Sequence, residues 1–125
     1  MKKLTILLTI IVMFALPAAA ITQGPIQPEF SDPTWSAYYY DNRQLDGTPV
    51  VIRQEEQINH NWQTGSPDPR IPVDGFSARW LRSVSVSAGT YRFAVTSDDG
   101  VRVWIDDTLI LDEWNDHAAQ TFYVD

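Results

Sequence analysis

The chain has 125 residues, a formal net charge of −7 and no cysteine. This length predicts one domain, and the acidic charge argues against nucleic acid and anionic membrane as partners because both repel it. No disulfide can stabilise the fold, so a hydrophobic core or a bound ion must do so. Five Trp, five Tyr and five Phe residues supply large side chains for such a core.

The first twenty residues have the pattern of a secretory signal. Two lysines precede a largely apolar run from Leu4 to Leu16, and three alanines follow shortly after it. This order predicts a signal peptide over residues 1–20, with cleavage before Ile21 and a mature chain that is secreted or held in the cell envelope. The alternative is an uncleaved membrane anchor, but the apolar run is shorter than the ~20 residues that span a bilayer. Loss of the two lysines takes the net charge from −7 to −9.

The first half of the mature chain has a weak pattern. Residues 21–34 are rich in Gly and Pro without any period, which predicts an exposed linker. An ordered domain is predicted over residues 35–125. It begins with the aromatic-rich strand "WSAYYYDN" at residues 35–42. Residues 49–62 are ambiguous between strand and irregular structure, and residues 64–75 form a loop rich in Gly and Pro.

The second half alternates clearly between apolar and polar residues. In residues 90–97 and 101–106 every second residue is apolar, which predicts two strands that each bury one face; these apolar residues are Tyr91, Phe93, Val95, Val101, Val103 and Ile105. Asp99-Gly100 lies between the two runs and predicts a β-hairpin with Gly100 at positive φ. Asp106-Asp107 predicts another turn. No helical pattern follows the signal, so the predicted fold class is all-β, a sandwich or barrel.

The segment Asp98-Asp99-Gly100 permits two interpretations. The first is turn chemistry alone, because Asp and Gly both favour tight turns. The second is a site for a cation or a polyol, because adjacent carboxylates are hard oxygen ligands of the kind that Ca²⁺ prefers. Two side chains cannot fill the six to eight positions around Ca²⁺, and the spacing is not that of an EF-hand. The pattern by itself leaves both interpretations open.

The sequence gives little support for an enzyme. His60 and His117 are the only histidines, and His117 lacks partners at metal-ligand spacing. No nucleophile motif and no phosphate-binding loop is present. Paired carboxylates can hydrolyse glycosides, but any acidic β protein offers such pairs by chance. We therefore expect a non-catalytic chain.

Trp104 is the aromatic residue with two plausible roles. It alternates with Val103 and Ile105 and so points away from their face of the strand. It can fill the other side of the sheet, which is the commoner role, or it can be exposed as a platform on which a sugar ring stacks. Trp80 and Trp114 are assigned to packing.

Several segments, in order and in register, resemble the PA14 domain. They are "WSAYYYDN", "INHNW" and "GSPDPRIPVDGFSARW" in the first half, then "AGTYRF", "TSDDGVRVWID" and "LILDEW" in the second. The resemblance runs from about Trp35 to the C-terminus. It implies a β-sandwich or barrel-like domain of the kind found in exported proteins, including bacterial toxins, glycosidases, and yeast adhesins and flocculins.

The adhesin branch of that family implies a role for the aspartates. There, the residues that match Asp98 and Asp99 are joined by a cis peptide bond and bind Ca²⁺, and the ion coordinates hydroxyls of a terminal sugar. We count Trp104 with this pair as a candidate carbohydrate-binding residue. Further ligands in that branch come from a later loop that has no match in this chain.

The resemblance also implies further strands after Asp125. We therefore expect that the domain over residues 35–125 is truncated at its C-terminus and that the remainder of a larger chain, or another chain, supplies the missing strands. The predicted function is an exported carbohydrate-binding module at the cell surface, with Ca²⁺ at Asp98 and Asp99. The alternative is a structural or accessory module of a larger toxin, adhesin or glycosidase, with no ligand of its own.

Overall fold

A computed structural model of the protein describes residues 2–11 and 33–125. The described residues contain eight strands and no helix, which confirms the all-β prediction. The strands are β1 (Lys2–Ile11), β2 (Trp35–Tyr40), β3 (Val51–Glu55), β4 (Ser77–Val86), β5 (Phe93–Ser97), β6 (Val101–Ile105), β7 (Thr108–Glu113) and β8 (Gln120–Val124). The predicted cleavage site and residues 21–32 of the predicted linker lie outside the described residues.

The strands form two antiparallel sheets. The larger sheet has six strands in the order β3-β2-β4-β1-β6-β7, and the smaller one pairs β5 with β8. Val95 of β5 and Phe122 of β8 pack against the core cluster that the larger sheet provides. The small sheet therefore covers part of one face of the large sheet and closes the hydrophobic core.

Lys2–Ile11 forms the strand between β4 and β6. Its ten residues all pair with β4, and five of them also pair with β6. The pairing of this strand does not test whether the segment is an export signal that is later removed, and both statements stay predictions. Within the described ranges, no helix has the length and hydropathy that are needed to cross a membrane.

Aromatic side chains dominate the core, as their number in the sequence predicts. Tyr39 and Trp80 are fully buried on neighbouring strands, and Phe76 lies beside them just before β4. Val101 and Val103 of β6 extend the same cluster, which confirms the face that alternation assigned to them. Because these side chains come from strands distant in sequence, the core fixes the relative positions of the loops that join the strands.

The predicted hairpin between β5 and β6 is wrong. β5 pairs with β8, whereas β6 pairs with β7 and β1, so residues 98–100 carry the chain from one sheet to the other. Alternation shows which face of a strand is buried but not which strand is its neighbour, and an Asp-Gly sequence fits either kind of connection. The second predicted turn is confirmed: Asp106 and Asp107, at φ 46° and 64°, join β6 to β7.

Candidate functional site

Residues 98–100, which join the two sheets, are called the crossing. A cavity of about 520 Å³ lies beside the crossing and is also lined by residues from 60–65 and 73–76. Three carboxylates line it, those of Asp74, Asp98 and Asp99. Three rings also line it, those of His60, Trp62 and Phe76. Cavities of this size hold small molecules.

Asp98 and Asp99 occupy the crossing between β5 and β6. The peptide bond between them is cis, as the resemblance implies. Asp98 is exposed and Asp99 is half-buried, and both line the cavity. The structure therefore places both predicted metal ligands at one wall of one cavity.

Gly100 follows this pair, and there is no space for a side chain at this position. A Cβ atom at this position would lie 2.9 Å from the backbone nitrogen of Asn115 and 3.0 Å from the carbonyl oxygen of Glu113. Gly100 is not among the glycines at positive φ, so that part of the turn prediction is wrong. The glycine is required because two backbone segments approach closely, and this contact holds the crossing against the end of β7.

Negative charge accumulates around Asp99. Burial raises the pKa of the Asp99 carboxyl, and the nearby charges of Asp98 and Asp116 raise it further. A hydrogen bond from the backbone of His117, and the His117 side chain itself, act in the opposite direction but do not cancel the effect. A carboxylate held near two others is stabilised when a cation binds beside it.

The two aspartates supply some of the oxygen ligands that a hard cation such as Ca²⁺ needs. The oxygens of Asp98 and Asp99 are of the right type, and the raised pKa of Asp99 reflects burial and nearby negative charge that a bound cation would offset. No group of three or more acidic, His or Cys side chains that could hold a metal occurs in the part of the chain that is described. The two carboxylates therefore need backbone carbonyls, waters or ligand hydroxyls to complete a coordination shell.

Ser97 precedes the two aspartates and also lines the cavity. The residue is 5% exposed, and its Oγ is buried without a hydrogen-bond partner among the described residues. The buried Ser77 is different, because its Oγ donates to the carbonyl oxygen of Asn42 and accepts from the backbone nitrogen of Leu45. Buried hydroxyls are normally paired, so the unpaired Ser97 hydroxyl is an exception next to Asp98.

His60, which lines the cavity, is held by the carboxylate of Glu55, whose side chain is 9% exposed. Glu55 Oε1 accepts hydrogen bonds from Tyr39 Oη (2.6 Å) and Arg53 Nε (2.7 Å). Its Oε2 accepts from Trp80 Nε1 (2.7 Å) and meets His60 Nε2 (2.8 Å). Burial raises the pKa of Glu55, but these four donors outweigh it and hold the pKa at about 2. Glu55 is therefore ionised at neutral pH and fixes four side chains at once.

Ring contacts make the wall around His60 rigid. The His60 ring stacks on Trp62, with centroids 4.9 Å apart and planes 8° apart, and on Trp80 at 5.7 Å. Trp62 also meets Tyr39 and Phe76 edge to face. Such pairs add stabilisation beyond the area they bury. The aromatic wall is thus a preformed surface rather than a set of separately mobile side chains.

The third candidate residue lies elsewhere. Trp104 is half-buried, points away from Val103 on β6 and is not part of the cavity lining. The structure brings Asp98 and Asp99 together with His60 and Trp62, and it leaves Trp104 apart from them.

Known proteins resemble this chain over most of its ordered part. The model of the PA14 domain matches residues 31–124. Among curated proteins, the anti-sigma-I factor RsgI3 of Acetivibrio thermocellus is 37% identical over 82 residues, which is 65% of this chain and 13% of that protein. The chain thus matches only a small part of the length of this relative. No solved structure is significantly similar to the chain.

Proposed function

We propose that this chain, which belongs to the PA14 domain family, is an exported carbohydrate-binding module that acts at the cell surface or in the cell envelope. The observation that carries the proposal is the pair of adjacent carboxylates, Asp98 and Asp99, at the wall of a cavity of about 520 Å³. PA14 domains are non-catalytic modules in many proteins, and we assign no reaction to this one.

The lining of the cavity matches the chemistry of a sugar. A sugar ring carries hydroxyl groups at its edge and C–H groups on its faces, so it needs polar partners on one side and an apolar surface on another. Asp98 and Asp99 supply the polar side. Trp62 and Phe76 supply apolar surface in the same cavity.

Asp98 and Asp99 are the residues that would hold Ca²⁺. When bound, the ion supplies positive charge that attracts hydroxyl oxygens and neutralises the repulsion around Asp99. The protein's own part is to keep the two carboxylates side by side. The contact of Gly100 with the backbone of Asn115 does this by fixing the path of the crossing.

The second candidate function is an accessory module with no ligand of its own. It is favoured by the relative, since RsgI3 is named as an anti-sigma-I factor and the match covers 13% of its length. A domain that is a small part of a large protein can serve as a spacer or a docking unit. In that case the cavity has no physiological ligand.

Calorimetric titration with a panel of methyl glycosides, in Ca²⁺ and in EDTA, separates the two functions. We expect at least one sugar to bind in Ca²⁺, and Asp98→Asn and Asp99→Asn to abolish that binding. Asp107→Asn is the matched control, because Asp107 lies on the turn between β6 and β7, outside the cavity lining, and Asn tolerates its positive φ.

Two results would contradict the proposal. If no glycoside binds in Ca²⁺, the accessory function is the better description. If a sugar binds equally well in EDTA and to both aspartate variants, the binding site lies elsewhere on the chain.

A further inference from the structure

His60 lines the same cavity as Asp98 and Asp99 and keeps part of its ring accessible. Its side chain is 20% exposed, whereas the Glu55 side chain behind it is 9% exposed. Packing on Trp62 and Trp80 holds the ring in place. A ligand that enters the cavity therefore meets a fixed imidazole.

The hydrogen bond to Glu55 decides which ring nitrogen carries the proton. Glu55 is ionised and can only accept hydrogen bonds, so His60 Nε2, 2.8 Å from its Oε2, must be the donor. In the neutral imidazole the other nitrogen, Nδ1, then carries the lone pair. His60 Nδ1 has no hydrogen-bond partner among the described residues, and it is not one of their buried unpaired atoms.

We infer that His60 Nδ1 accepts a hydrogen bond from a hydroxyl group of the bound sugar and helps to select which sugar binds. The inference rests on the proposed function, since it concerns the same cavity. Glu55 acts as a positioning residue, because it touches no ligand but sets the tautomer and the orientation of the ring.

The inference also defines the ligand more closely. His60, Asp98 and Asp99 all line the cavity, and a neutral imidazole and two carboxylates all carry acceptor atoms. A neutral sugar can donate a hydroxyl proton to Nδ1, whereas a carboxylate of an acidic sugar at the same place would set a lone pair against a lone pair. The site is therefore expected to take a neutral sugar with a free hydroxyl at this position.

The test uses the whole chain, the glycoside that binds best, and the variant His60→Gln. A glutamine amide can still donate to Glu55 but loses the acceptor nitrogen at the place of Nδ1. We expect the affinity to fall about 3- to 10-fold, the usual effect of one lost hydrogen bond. Deoxy analogues of the glycoside then identify the hydroxyl, because removing it weakens binding to the wild type but not to His60→Gln.

Tyr39→Phe is the matched control. It removes one of the two donors at the other oxygen of Glu55 but changes no residue of the cavity lining. We expect it to lower the melting temperature and to keep the sugar affinity. If Tyr39→Phe and His60→Gln weaken sugar binding equally, His60 acts only through the fold and the inference is overturned.

Nitrogen-15 NMR of the His60 ring gives a readout that needs no sugar. At mildly alkaline pH, where an ordinary imidazole is neutral, we expect the proton on Nε2 and an unprotonated Nδ1. A proton on Nδ1 would overturn the inference even if sugars bind. If sugars bind but His60→Gln binds them like the wild type, the inference alone fails; if no sugar binds, the proposed function fails with it.

Discussion

Gly100 lies against the backbone of Asn115 so closely that a Cβ atom at residue 100 would be 2.9 Å from the Asn115 nitrogen. Real Cβ atoms do not approach a backbone nitrogen to this distance, and the carbonyl oxygen of Glu113 is nearly as close at 3.0 Å. The crossing that carries Asp98 and Asp99 is therefore packed backbone to backbone against the end of β7. The position of the carboxylates depends on this contact.

Gly100→Ala is expected to destabilise the protein by about 1–3 kcal/mol, because the added methyl group must displace backbone atoms. Gly100→Val should cost more. Urea or thermal unfolding measures the change. Gly89→Ala is the control, since its new Cβ would meet nothing closer than the Tyr91 ring at 3.9 Å, and its stability should stay within about 0.5 kcal/mol of the wild type. Equal stability of the Gly100 and Gly89 variants would show that the close contact does not exist in solution.

The strands of the second half were largely predictable, and their partners were not. Alternation fixed the buried face of β6, where Val101 and Val103 are in the core. It did not reveal that β5 leaves β6 and pairs with β8 instead. Pairing depends on contacts between distant parts of the chain, and the local Asp-Gly signal fits a hairpin and a crossing equally well.

The site was predictable only where one segment carries it. Asp98 and Asp99 are adjacent in sequence, so a short motif identifies them. Glu55 gives no such signal, because its partners Tyr39 and Trp80 are 16 and 25 residues away. His60 within "INHNW" shows nothing of its stacking or of its bond to Glu55, which arise only when β2, β3 and β4 lie side by side.

The unfolding midpoint of the whole chain is expected to rise in Ca²⁺ relative to EDTA. A ligand that binds only the folded state adds about 2.7 kcal/mol at a hundredfold excess over its dissociation constant. Asp99→Asn should abolish this response, whereas Asp107→Asn should keep it. An equal midpoint of the wild-type protein in Ca²⁺ and in EDTA would count against the ion site.

Asp99→Asn should also be at least as stable as the wild type in EDTA. The pKa of Asp99 is raised by burial and by the charges of Asp98 and Asp116, so the folded state binds this proton more tightly than the unfolded state. Stability from this group therefore increases as pH falls through the raised pKa and is absent at neutral pH. An asparagine removes the repulsion. A clear loss of stability in EDTA would show that the hydrogen bond from the His117 backbone outweighs the burial and repulsion at Asp99.

A chain that begins at Ile21 is expected to be less stable than the full chain. Without Lys2–Ile11, β4 and β6 lose the strand between them. β4 then loses ten residue pairs and β6 loses five. At about 1 kcal/mol for each net hydrogen bond, a partial loss already lowers the melting temperature by about 10 °C or more. Equal midpoints for the two chains would mean that β1 is not part of the cooperative fold. Mass spectrometry of the exported protein tests the predicted cleavage before Ile21.

Glu55→Gln is expected to change the acid sensitivity of the fold. Hydrogen bonds from His60, Tyr39, Trp80 and Arg53 overcome burial and lower the pKa of Glu55 from 4.5 to about 2. The ionised carboxylate therefore stabilises the folded state fully above about pH 4.5. This contribution is lost as pH falls towards 2, because the unfolded state then binds the proton first. The free energy of unfolding of the wild type should fall across this window.

The glutamine variant should show a smaller fall, because the Glu55 contribution is missing while Asp68 and Asp125, whose pKa values are also lowered, still bind protons. At neutral pH it should be less stable than the wild type by on the order of 2 kcal/mol, since an amide nitrogen replaces an oxygen that accepts hydrogen bonds. Glu56→Gln, at the exposed neighbour, should keep both the neutral stability and the acid sensitivity of the wild type. Unfolding in urea at several pH values measures all three proteins. If Glu55→Gln and the wild type lose stability in parallel between pH 4.5 and 2, the four hydrogen bonds do not hold Glu55 ionised, and the tautomer assigned to His60 loses its basis.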